Sequence, residues 1–182
     1  MNTFPALKEW ALVCEALGRG KQNILIRKGG ISEGKAGFHF KHKEFFLFPT
    51  WFHGQPEKTI LQGGLCPSSA ENILKIEIRY LASVEWVRFV QDNGKIAYLR
   101  EFHVLQDFVV QERLQNRGFG VHVALVRVLR LNPTHCIPYE KRYGGCRSWI
   151  EVPSRGSGSA LLPALSDELH QQRRQALEKI LG

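Results

Sequence analysis

Two polar clusters marked by glycine carry the residue types that could do chemistry in this chain. The first is Arg27-Lys28-Gly29-Gly30-Ile31-Ser32-Glu33, continued by Phe48-Pro49-Thr50-Trp51-Phe52-His53. The second is Tyr139-Glu140-Lys141-Arg142-Tyr143-Gly144-Gly145-Cys146-Arg147-Ser148-Trp149. Glycines let backbone approach a ligand, while cations and hydroxyls orient it. Successive backbone N–H groups around Gly29 and Gly30 would form an anion nest, and Arg27 and Lys28 would add charge-assisted bonds to a phosphate. A tight turn with two solvated cations is the competing reading. Thr50 and Ser148 offer hydroxyls. Arg142, Arg147, Tyr139, Tyr143 and Trp149 mix cations with aromatics, the combination that neutralises phosphates while stacking on bases. An aromatic corner packed on the core would use the same residues.

Catalytic readings have less behind them. Glu33 and Lys35 give the Glu-x-Lys of a metal-dependent nuclease, in which an acid holds a divalent cation and the lysine polarises the attacked phosphate. The upstream acidic partner of such a centre is missing, because only Glu9 and Glu15, read here as helical, precede it. His53, held at a proline-fixed strand end, suits acid–base work or a phosphate contact, with a structural histidine as the alternative. Cys146 lies among Lys141, Arg142 and Arg147, which would favour a thiolate, yet a small thiol in a glycine turn explains it more simply. His39, His42 and His53 lack acids or cysteines at metal-ligand spacing, so they read as a solvated basic loop and no metal site is assigned.

The elements that must position these residues are those of an α+β domain. Residues 5–17 read as a leading helix, with Leu7, Trp10, Ala11, Cys14 and Leu17 at three- and four-residue spacing and Gly18 as a stop. Trp10 and Trp86 are assigned to the core. Residues 23–27 and 44–48 read as strands, the latter halted by Pro49. Residues 73–85 alternate apolar and polar, as a long half-buried strand that can bend. An inserted helix is expected over 107–117, a central strand over 121–131, and a last strand over 148–152. Residues 153–163 have linker composition and lead to a C-terminal helix over 164–182, capped by Ser166. The expected organisation is one domain over 1–152, the linker, and that helix, which could dock on its own domain or on a protein partner.

Composition sets the outer limits. The 182 residues are 43% hydrophobic, enough for a substantial core, and carry a net charge of +8 that favours polyanionic or anionic partners. Only three acids are Asp, at Asp92, Asp107 and Asp167, which disfavours paired-Asp metal chemistry. No apolar stretch is long enough to span a bilayer and no signal-peptide pattern opens the chain, so a cytoplasmic location is expected. Cys14, Cys66, Cys136 and Cys146 show no CxxC spacing and read as reduced thiols.

The joints between these elements resemble a bacterial family known as domain of unknown function 1802. The matching pieces are Ala6-Leu7-Lys8-Glu9-Trp10-Ala11, Ile26-Arg27-Lys28-Gly29-Gly30-Ile31 with Glu33, Phe48-Pro49-Thr50 with His53, His103 followed by Arg113, Leu125-Val126-Arg127-Val128, and Gly145-Cys146-Arg147-Ser148-Trp149. The chain departs from the family's pattern after His103, where Val104 and Leu105 replace an expected aromatic and hydroxyl pair. The resemblance implies a bacterial cytoplasmic protein, brings Arg113 into the set of ligand-binding candidates, and supplies no reaction. At the level of fold, a mainly antiparallel sheet with a late strand over 125–131 also looks like the small barrels of the PUA and ASCH type, which bind RNA or modified bases. Three functions follow as expectations. The first is a module binding nucleic acid or a nucleotide through a phosphate pocket. The others are a nuclease-like or other hydrolase using Glu33, Lys35 and His53 with a divalent cation, and an interaction module using the C-terminal helix.

Overall fold

The computed structural model describes residues 2–28, 38–61, 74–116, 118–156, 158 and 160–182. Seven strands form one sheet in the order β2-β5-β4-β3-β1-β6, with β7 added on β5. These are β1 (Thr3–Trp10), β2 (Ile24–Arg27), β3 (Glu44–Thr50), β4 (Lys75–Val90), β5 (Val121–Pro138), β6 (Trp149–Pro153) and β7 (Ala160–Pro163). Every pairing is antiparallel except β1 with β3. The expected α+β class holds. Among the described residues the sheet is open, with β2 and β6 at its ends, and does not close into a barrel.

Among the described residues four α-helices, α1 (Ala11–Gly18), α2 (Asn93–Tyr98), α3 (Asp107–Gln115) and α4 (Asp167–Leu181), accompany the sheet. The opening segment corrects the expected leading helix. Residues Thr3–Trp10 are a strand, and the helix starts only at Ala11. Pairing decided this: β1 runs between β3 and β6, and two flanking ladders override a helical spacing of apolar residues. Pro5 is tolerated because the ladder with β3 begins one residue later, at Ala6 paired with Phe46.

The long antiparallel pair of β4 and β5 is the spine of the sheet, and its register shifts between Ile78 and Tyr80 and between Val84 and Trp86 give the bend that the long alternating run allows. Between β4 and β5 the chain leaves the sheet to form α2, a 3-10 turn and α3. Asp92 caps α2 by accepting from the N–H groups of Gly94 and Lys95 at 2.7 and 3.1 Å. The larger hydrophobic cluster joins the sheet to α1, α2, α3 and α4 and includes Leu17, Leu25, Phe45, Leu99, Leu114, Leu125 and Leu177. A smaller, separate cluster forms around Phe46, Ile78, Ile137, Tyr143 and Val152. Gly18 is where α1 meets β4: an added Cβ would lie 2.0 Å from Cε1 of Tyr80.

The stretch of linker composition contains β7, which pairs Leu129–Asn132 through Ala160–Pro163. Beyond it, Ser166 caps α4 by accepting from Leu169 N–H at 3.2 Å, as its sequence predicts. The apolar stripe of α4 faces its own domain, with Leu177 and Leu181 buried in the larger cluster.

Candidate anion-binding cleft

Three strand ends and one helix meet at a cleft of about 310 Å³, lined by residues that include Trp10, Arg27, Lys28, Lys58, Arg113 and Ser148. Glu9 and Trp10 end β1, and Arg27 ends β2. Ser148 immediately precedes β6, whose ladder with β1 carries on through the Lys8 N–H, which donates to the Ser148 carbonyl at 2.8 Å. Arg113 comes from α3, and Lys58 ends a 3-10 turn over Pro56–Lys58.

Glu9 is the anchor. Its carboxylate is 1% exposed, accepting the Trp10 N–H on Oε1 at 2.8 Å and the Arg27 guanidinium on Oε2 at 2.9 Å. Thr50 braces the same corner by donating its hydroxyl to the Glu9 carbonyl at 2.9 Å. Arg27 uses its other terminal nitrogen to donate to Ser148 Oγ at 2.9 Å, and its plane lies over the Phe38 ring with Cζ 5.0 Å from the centroid. Its buried Nε has no partner among the described residues. A guanidinium held on three sides like this is a fixed donor array rather than a flexible charge.

Arg113 stands beside it, donating to the Ile26 carbonyl at 2.6 Å and lying 4.7 Å from the centroid of the Trp10 ring. Burial lowers its proton affinity, and Arg27 pushes in the same direction while Glu9 opposes both. The guanidinium remains charged, because even a lowered arginine is protonated at neutral pH. The lining cations Arg27, Lys28, Lys58 and Arg113 face two carboxylates, the buried Glu9 and Glu112. That surplus, with the Ser148 hydroxyl and the Trp10 ring, makes the cleft suited to an anion carrying a flat group.

The structure brings together part of the predicted set. Arg27, Lys28, Arg113, Cys146 and Ser148 line the cleft, and Thr50 supports it from behind Glu9. Gly29, Gly30, Glu33 and Lys35 lie outside the described residues, and so does Cys66. His53 is exposed on the turn before Pro56 and does not line the cleft. Arg142 pairs with Glu140 at 2.9 Å, Arg147 and Tyr139 are exposed, and none of the three lines the cleft. Tyr143 corrects an expectation. It is 2% exposed and packs on Phe48 at 5.6 Å in the smaller cluster, which leaves its ring no face for a base. Trp149 is half-buried, donating its indole N–H to the His39 carbonyl at 3.0 Å and packing against Phe38, His42 and Phe45. Among the described residues no group of three His, Cys, Asp or Glu is assembled to hold a metal ion. None of their helices is long and apolar enough to cross a membrane.

Sequence reasoning missed Glu9 and Trp10, which it placed in a helix and in the core. The signal was present in the segment Ala6-Leu7-Lys8-Glu9-Trp10-Ala11, where a lone acid sits among apolar residues.

No curated protein matches the chain. Among solved structures, the ASCH protein of Zymomonas mobilis aligns at 10% identity and a TM-score of 0.45, over 95% of this chain and 94% of that one. Two variants of the same protein align at 10% and 12% identity with TM-scores of 0.46 and 0.48, again over 95% of this chain and 94% and 96% of theirs. Residues 6–176 match the family described as Domain of unknown function (DUF1802), and the chain belongs to that family.

Proposed function

We propose that the chain binds a phosphate-bearing ligand, a nucleic acid or a nucleotide, in the cleft between the ends of β1 and β2 and α3. The observation that carries this reading is the pair of guanidiniums, Arg27 and Arg113, fixed at one cleft by Glu9, Ser148, the Ile26 carbonyl and two aromatic rings. Holding two arginines together at a half-buried site is unfavourable unless a further anion arrives, because the one buried carboxylate is already engaged. A phosphate supplies that charge and accepts the donors which the protein leaves over. The Trp10 ring and the net charge of +8 support a ligand that is both polyanionic and aromatic.

Titration calorimetry with a 5′-nucleoside monophosphate at about 50 mM salt, and fluorescence anisotropy with a labelled oligonucleotide, test the reading. The intact protein should bind, and Arg113→Met should weaken both ligands by about tenfold or more, the worth of one charge-assisted bond. Failure to bind either ligand would rule the reading out.

A further inference from the structure

A second surface adjoins the cleft, and occupation of the cleft alone leaves it unused. Lys28 on the cleft wall donates its ammonium to the carbonyls of Gly118 and Gly120. Gly120 has φ +130°, and the Phe89 ring lies so close over it that an added Cβ would sit 2.4 Å from Cζ of Phe89. Phe89 packs on the His122 imidazole with centroids 4.9 Å apart, and His122 meets Phe38 at 6.3 Å. Phe38 is the ring beneath Arg27, so the path returns to the cleft.

This ridge keeps aromatic faces in water beside fixed cations. Phe89 is 54% exposed and Phe119, between the two glycines that hold Lys28, is 47% exposed. Large exposed rings mark a contact surface, and the company of Arg27 and Lys28 selects an anionic partner over an apolar one. A mononucleotide would fill the cleft and leave the ridge bare. A duplex keeps its bases stacked inside and has none to offer Phe89. An unpaired strand has both components, a charged backbone and bases with open π-faces.

Resting on the phosphate reading of the cleft, we infer that the ligand is single-stranded nucleic acid, with a backbone phosphate between Arg27 and Arg113 and neighbouring bases stacked on Phe89 and Phe119. Burial, with His39 and Lys28 nearby, holds the proton affinity of His122 below its ordinary value, so at neutral pH its ring adds a neutral wall to the ridge. The ridge is then the part of the protein that distinguishes a strand from a nucleotide.

The test compares three probes on the full chain at about 50 mM salt: a single strand of about ten nucleotides, a duplex of the same sequence, and a 5′-nucleoside monophosphate. The single strand should bind at least about tenfold more tightly than either of the others, the worth of one stacked base. Phe89→Ala and Phe119→Ala should each remove much of that advantage while leaving monophosphate affinity within about twofold, which also reports that the variants are folded. Arg113→Met should weaken every probe that binds. If the monophosphate binds but the single strand gains nothing over it or over the duplex, the inference is overturned and the cleft reading stands. The same holds if both phenylalanine variants keep full single-strand affinity. If no probe binds, the cleft reading falls, and the ridge inference with it.

Discussion

At the scale of single residues, the cleft is built around Glu9. A buried carboxylate is stable only when its lone pairs are met, and here Arg27 and the Trp10 N–H meet them. Glu9→Gln would leave Arg27, whose side chain is only 13% exposed, without its counter-charge. Such a break should cost about 3 kcal/mol, read as a lower urea midpoint, and should weaken nucleotide binding because Arg27 loses its orientation. A variant as stable as the parent would show that the pair does not anchor the cleft. Arg27 and Ser148 were legible as candidates because cations and hydroxyls beside glycines stand out in a sequence. Glu9 was not, because its role depends on tertiary contacts that bring Arg27, 18 residues on, and Ser148, 139 residues on, to one corner, which no local pattern encodes.

At the scale of elements, the joint between α2 and α3 carries a pH dependence. His103 is buried there, and its Nδ1 has no partner among the described residues. Burial first, then Arg100 and Arg113, lowers its pKa from 6.5 to about 4, with Asp107 pulling the other way. The unfolded chain takes up this proton near pH 6.5, whereas the native one waits until about 4. Across that window the unfolded state holds more protons, so stability falls as the pH drops and the full loss, about 3 kcal/mol, is reached below the native value. Urea denaturation between those limits should show the slope, and His103→Leu should flatten it. An equal slope in both proteins would refute the assignment.

The helices illustrate packing at the same scale. Leu177 of α4 is fully buried against the main cluster, so Leu177→Ala should lower stability by about 2–4 kcal/mol in urea denaturation. Loss of less than about 1 kcal/mol would mean that α4 docks only loosely. The alternation of β4 and the cap of α4 were readable because each rests on local chemistry. The first strand was misread as a helix because apolar residues at positions 7, 10, 11 and 14 satisfy helical spacing, while its two partner strands lie about 40 and 140 residues away. A non-local partner also hid β7, whose four residues pair with β5 about 30 residues earlier.

At the scale of the whole molecule, a net charge of +8 becomes informative only through its placement. Several of the cations are engaged in surface pairs, such as Arg79 with Glu77 and Glu15, Arg142 with Glu140, and Arg174 with Glu178. Pairs of this kind add little to stability and present no net attraction to a polyanion. The cleft differs because its cations outnumber its carboxylates and are held by rings and backbone. The measurement that bears most directly on this claim is the salt dependence of oligonucleotide affinity for the parent and for the Arg27→Met, Arg113→Met double variant. Between about 50 and 200 mM salt the parent's affinity should fall steeply, and the double variant should bind more weakly with a log–log slope shallower by about 0.7, the one single-strand phosphate contact that the two arginines share. A slope that is flat, or identical in the two proteins, would contradict the cleft as the site of phosphate binding.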